Sequence, residues 1–211
     1  MEAMQSICLS YWYPLYAWAR HSVGNPEDAA DLIQSFFERL LEKGFLSAAD
    51  QKKGRLRSFL LTCLKRHAND VREKKWAARR DSRKTVSLDF EWAEGRYHGQ
   101  TTLADSPDAI YDRRWAHTLL HYTLEILEKE MSAEGKGESF SVLKTFLEFR
   151  PELESTRGEI ALRLGISEGA LKSQVFRLRK RFHELLMDQV AMTIGNEENP
   201  KDELLSLVTS L

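Results

Sequence analysis

Residues 155–186 read STRGEIALRLGISEGALKSQVFRLRKRFHELL, and this stretch decides the fold. Thr156 and Glu159 have capping-box spacing, which predicts a helix that opens there and runs through Leu164. Gly165 then supplies the left-handed residue at which a helix ends with least strain. Ser167 is a side-chain cap for a second helix, on which Leu171, Val175, Leu178, Phe182, Leu185 and Leu186 recur as an apolar stripe. Two helices, a tight turn with small Ala161 beneath it and a long basic second helix predict a helix-turn-helix. At about 3.6 residues per turn, Gly169, Ser173, Phe176, Arg177 and Lys180 lie opposite the apolar stripe.

In a helix-turn-helix the start of the second helix enters the major groove, so Ser173, Gln174 and Arg177 are candidate base readers, with Ser167 at the same end. Arg pairs with guanine through two parallel hydrogen bonds, Gln matches adenine in the same way, and Phe176 suits a thymine methyl. Lys172, Arg179, Lys180 and Arg181 are assigned to phosphates, which position a domain without reading sequence. The plain alternative is an αα-hairpin with a solvated basic face.

Further upstream, residues 52–84 hold thirteen lysines and arginines against Asp70, Glu73 and Asp81, a local charge of +10 in a chain of net charge −1. Such segregation is the footprint of a phosphate binder, because each neutralised phosphate releases condensed counterions; a solvated basic helix is the plain alternative. From about residue 55, Leu56, Leu60, Cys63, Leu64, His67 and Val71 fall on one side of a predicted helix, so Cys63 and His67 read as packing residues. Its other side presents Lys65, Arg66, Asn69, Arg72, Lys74 and Lys75, and Trp76 either stacks on an unpaired base or packs in the core.

The preceding segment, NPEDAADLIQSFFERLLEK at residues 25–43, has its start well marked. Asn25 caps, Pro26 fits the first helical position, and Glu27 and Asp28 complement the positive end of the helix dipole. Ala29, Ile33, Phe36, Phe37, Leu40 and Leu41 make an apolar face, with Asp31, Ser35, Glu38 and Glu42 opposite. That acidic stripe reads either as a solvated face or as a docking surface for a basic element. The aromatic run Tyr11, Trp12, Tyr13, Tyr16 and Trp18 is expected to pack this block.

These readings give an all-α fold of two small helical domains, residues 1–80 and 107–186, joined by a less regular linker over 81–106 and followed by a helical extension over 187–211. A hydrophobic content of 42% suffices for real cores. Cys8 and Cys63 lie far apart with no CxxC, which argues against a disulfide framework or structural zinc and makes a reducing cytosol the simplest setting. Neither a membrane-length apolar run nor an export signal is visible, so a cytoplasmic protein without membrane insertion is expected. No cofactor and no metal is expected.

DAADLIQSFFERLLEK at 28–43 is similar to the polymerase-docking helix of sigma-70-type factors of the extracytoplasmic-function group. EIALRLGISEGALKSQVFRLRKRF at 159–182 is similar to the promoter-reading helix-turn-helix of that group. Order, separation and linker also match, so the resemblance covers residues 8–186. YWYPLYAWAR at 11–20 and GRLRSFLLTCLK at 54–65 further resemble a subgroup abundant in planctomycete-like bacteria, while WAARRDSRK at 76–84 departs from the glycine-rich basic end expected there. The resemblance implies that Asp31, Gln34, Phe37 and Glu38 lie in the helix that grips the clamp coiled coil of the largest catalytic subunit of core RNA polymerase. It implies that residues 65–76 bind and help melt the minus-ten element of promoter DNA, and that the second domain reads the minus-thirty-five element as duplex. An anti-sigma factor is a further implied partner. No catalytic residue is required, because the polymerase performs the phosphoryl transfer.

Two other readings compete. A stand-alone helix-turn-helix regulator would bind an operator by itself, often as a dimer on symmetric half-sites. A hydrolase built on Cys63, His67 and Asp70 would need nucleophile and base on a single helix, without an evident oxyanion hole, a Walker loop, GxSxG or HExxH.

Overall fold

A computed structural model of the chain describes residues 2–42, 54–77, 89–98, 105–147, 157–195 and 198–210; within these, the side chains of 2–10, 41, 42, 74–77, 98 and 210 are not described. The described residues form helices without a strand: α1 Glu2–Val23, α2 Pro26–Glu42, α3 Leu56–Ala77, α4 Phe90–His98, α5 Pro107–Ala133, α6 Gly137–Leu143, a 3-10 turn Lys144–Phe146, α7 Arg157–Arg163, α8 Glu168–Ala191 and α9 Pro200–Ser210. Three of the five prolines stand at the first position of a helix, each preceded by a polar residue that caps it. Asn25 Oδ1 accepts from the Glu27 N–H at 2.8 Å, Ser106 Oγ from Ala109 at 3.2 Å, and Asn199 Oδ1 from Lys201 at 3.0 Å.

The chain divides into two compact units, residues 1–119 with 190–211 and residues 120–189. The unit boundaries fall inside α5 and α8, not at the expected 80/81 and 106/107. In the first unit the core gathers Leu15 and Tyr16 of α1, Ile33 and Phe37 of α2, Leu60 and Leu64 of α3, and Tyr111 and Trp115 of α5. The expected aromatic run does pack here: Tyr11, Trp12, Tyr13, Tyr16 and Trp18 are all buried, and Tyr11 stacks on Trp115 at 5.9 Å.

One expectation about the connecting segments needs correction. The segment 81–106 is not simply a linker: within it α4 buries Ala93 and Tyr97, and Glu94 accepts from Tyr16 Oη at 2.6 Å and from Arg20 Nε at 2.9 Å. Asp89 caps α4 through the Trp92 N–H at 2.9 Å, and Phe90, Ala93 and Tyr97 then share a face by helical spacing. The helical extension, whose place the sequence left open, joins the first unit from Val190 onward, since Val190, Ile194 and Leu207 complete the same core and the Leu56 N–H donates to the Thr193 carbonyl at 2.9 Å.

A buried charge cluster fixes that arrangement. Glu203, only 1% exposed, accepts from Arg57 Nε at 2.5 Å and pairs with Arg55 at 2.7 Å. Asp112 pairs with the other side of the Arg57 guanidinium, and Tyr111 Oη donates to the Arg57 carbonyl at 2.9 Å. Burial alone would push the Arg57 guanidinium toward losing its proton, and the hydrogen bond to Glu203 and the charge of Asp112 outweigh it. Such a pair adds little over an apolar replacement, but removing one partner strands a buried charge at a cost of about 3–5 kcal/mol.

The second unit packs Leu127, Phe140, Leu143, Phe146, Ala161, Leu171, Val175 and Leu178 into a separate core. It contains the helix pair α7 and α8. Gly165 adopts φ +66°, the Ile166 N–H reaches the Ala161 carbonyl at 3.0 Å and the Gly165 N–H reaches Leu162 at 3.1 Å. This is a Schellman ending, and any residue with a Cβ would be strained at that glycine.

Candidate functional site

Within the second unit, α8 sorts its side chains as its periodicity demands. Leu171, Val175, Leu178, Leu185 and Leu186 are buried, and Phe182 packs against the same core. Ser167 caps the helix, its Oγ accepting from the Ala170 N–H at 3.2 Å. Ser173, Phe176, Arg177, Lys172 and Lys180 are exposed, and Phe176 stands 68% open to solvent. An isolated phenylalanine so exposed fits a contact surface better than a core, although single exposed apolar residues are common. Ser173 Oγ donates to the Gly169 carbonyl at 3.0 Å, which leaves its lone pairs to accept from a base amino group. Gln174 is half-buried and borders a cavity beside Arg177 and Glu130.

Two of the expected phosphate contacts are otherwise engaged. Arg179 donates from Nε and a terminal nitrogen to the Phe146 carbonyl at 3.1 and 2.9 Å, satisfying the end of the 3-10 turn. Arg181 donates from Nε and a terminal nitrogen to both oxygens of Glu130 at 3.0 and 2.8 Å and reaches Glu184 at 3.4 Å. Lys172 and Lys180 are the exposed lysines of this helix. The capping residue Thr156 lies outside the described residues.

In the first unit, α3 buries Leu60, Leu64 and His67 and exposes Arg66, Asn69 and Arg72. Lys65 meets Asp108 of α5 at 2.5 Å. Burial raises the Asp108 carboxyl, but hydrogen bonds from Lys65 and from Trp18 Nε1 outweigh it and hold the group below its ordinary value. Arg55, Arg57 and Lys65 therefore balance carboxylates within the unit, and the exposed polar stripe narrows to Arg66, Asn69 and Arg72. The side chains of Lys74, Lys75 and Trp76 lie outside the described residues, although α3 itself runs through Ala77.

On α2, Asp31 is exposed and Gln34 and Glu38 are half-exposed, with Gln34 Nε2 donating to Glu38 Oε1 at 3.3 Å. Phe37 must be removed from the contact set. It is 1% exposed and packs in the core, so it sets the position of α2 without reaching a partner. Ser35 leaves the acidic stripe too, because its Oγ lies 2.8 Å from His67 Nε2 and donates to the Leu32 carbonyl at 3.1 Å. The Glu42 side chain lies outside the described residues.

Cys63, His67 and Asp70 do not assemble into a nucleophile and base. Asp70 accepts from Arg39 at 2.9 Å, the His67 ring meets Ser35 and Arg39, and burial pushes the Cys63 thiol up, away from the reactive thiolate. Among the described residues no group of three His, Cys, Asp or Glu could hold a metal ion, and no helix is long and apolar enough to cross a membrane. The partners that sequence reasoning missed, Glu130 for Arg181 and Asp108 for Lys65, are 51 and 43 residues distant in the chain, beyond any local periodicity.

Comparison with known proteins adds one finding for the first unit. Residues 10–78, which span α3 and most of α1 with α2 between them, match the family model of Sigma-70 region 2. No curated protein and no solved structure matches the chain. The match covers about a third of the sequence and shows that the first unit contains a segment similar to Sigma-70 region 2.

Proposed function

We propose that this chain is a sigma factor of the extracytoplasmic-function type, which binds core RNA polymerase and directs it to particular promoters. The observation that carries the reading is the Sigma-70 region 2 match, because it falls on the helices whose exposed faces are acidic on α2 and basic on α3. Asp31, Gln34 and Glu38 form the polymerase-facing surface, an acidic patch suited to a basic clamp element. Arg66, Asn69 and Arg72, continuing toward Lys74, Lys75 and Trp76, form the surface for the minus-ten element. Arg177, Ser173, Gln174 and Phe176 of α8 read the minus-thirty-five element, with Lys172 and Lys180 on phosphates.

In this mechanism the factor does no covalent chemistry. It couples the free energy of polymerase binding to melting of the promoter, while the polymerase supplies phosphoryl transfer. An anti-sigma factor is the natural inhibitory partner of such a chain. Run-off transcription tests the reading: purified chain added to core polymerase gives promoter-dependent transcripts from a promoter library. Tight operator binding by the chain alone, with no polymerase-dependent transcript, overturns it in favour of a stand-alone regulator.

A further inference from the structure

The charges around α8 do not all point toward DNA. Gln174, Arg177 and Arg181 follow one another at intervals of three and four residues, so they share a stripe of the helix. Beside that stripe opens a cavity of about 390 Å³, bordered also by Glu130, Glu134 and Lys136 from the end of α5 and the turn that follows. Arg181 is the member of the stripe whose three guanidinium nitrogens all meet carboxylates: two face the two oxygens of Glu130 and the third reaches Glu184. A carboxylate held in this way presents the same two-point acceptor that a DNA phosphate would offer. The Arg181 hydrogen bond also holds the Glu130 carboxyl below its usual range.

Phosphate contacts strengthen binding to every sequence alike, whereas base contacts discriminate. A cation withheld from phosphate therefore lowers indiscriminate binding without touching base readout. We propose that Glu130 is a specificity-determining residue of the helix-turn-helix, which withholds Arg181 from DNA phosphates so that Arg177, Gln174 and Ser173 decide where the domain binds. This rests on the sigma-factor reading above, and adds to it a role for an acidic residue on a different helix from the base readers.

The test uses the full-length chain reconstituted with core RNA polymerase, and measures affinity against salt for a promoter duplex and for the same duplex with a scrambled upstream element. Replacing Glu130 by Gln frees Arg181 for one more phosphate, so the slope of log affinity against log salt steepens by about 0.9. Between about 50 and 200 mM salt the variant then loses roughly threefold more affinity than the parent, and its preference for the promoter over the scrambled duplex falls. Glu130→Asp, which keeps the charge, retains the parent slope, and the double variant E130Q/R181A returns to it. A slope unchanged by E130Q, or a steepening that survives removal of Arg181, overturns the inference. A parent complex that binds both duplexes equally overturns the sigma-factor reading itself, and this inference with it.

Discussion

Helices α3 and α8 are both basic and of similar length, Leu56–Ala77 and Glu168–Ala191, yet they place their cations differently. At the start of α3, Arg57 is buried against Glu203 and Asp112, and a further two turns along Lys65 meets Asp108. On α8 the exposed cations Lys172, Arg177 and Lys180 stand on the solvent side, and Arg181 is paired at the surface rather than in the core. The difference teaches that a run of lysines and arginines is not itself a binding face. On the proposed reading, the cations left for DNA are those without an intramolecular carboxylate, and carboxylates that pair with the others include Glu203, Asp112, Asp108 and Glu130, all far away in the chain.

That contrast predicts effects of different kind and size. The largest falls on the first unit: Glu203→Ala leaves Arg57 buried beside Asp112 alone, and urea unfolding should show a loss of about 3–5 kcal/mol. A change below about 1 kcal/mol would mean that the extension is a surface appendage and that α3 holds its place without it. A smaller effect, on recognition and not stability, is expected in the second unit. Arg177→Ala should alter preference within the minus-thirty-five element by about 1–3 kcal/mol, read by selection of bound sequences from a randomised pool with the reconstituted holoenzyme. Recovery of the same element at the same strength would move base reading to Ser173 and Gln174.

Much of this organisation was legible in the chain. The second unit's helix pair could be read down to its turn, because the signals are local: Ala161, Gly165 and Ser167 sit within a few residues of one another and each has one dominant conformational role. The cap at Asn25 and the apolar stripes of α2 and α8 were legible for the same reason. What periodicity does not encode is pairing across long separations. Glu203 meets Arg57 across 146 residues, so the extension's place in the first core was invisible to local reading. Helix α4 was missed because it is short and Trp92, 47% exposed, blurs its apolar spacing. Phe37 failed as a contact because the resemblance identified a functional helix, whereas its own position on the apolar face, beside Ile33 and Leu40, marked it as core.

The central claim is that the exposed acidic face of α2 recognises the polymerase. Asp31 is exposed, so Asp31→Arg should leave unfolding free energy within about 0.5 kcal/mol of the parent. Co-purification of core polymerase with the folded variant tests the claim most directly. The account predicts that D31R retains its helicity and stability but recovers much less core polymerase than the parent chain. Recovery of the same amount of polymerase by a folded D31R variant would contradict it.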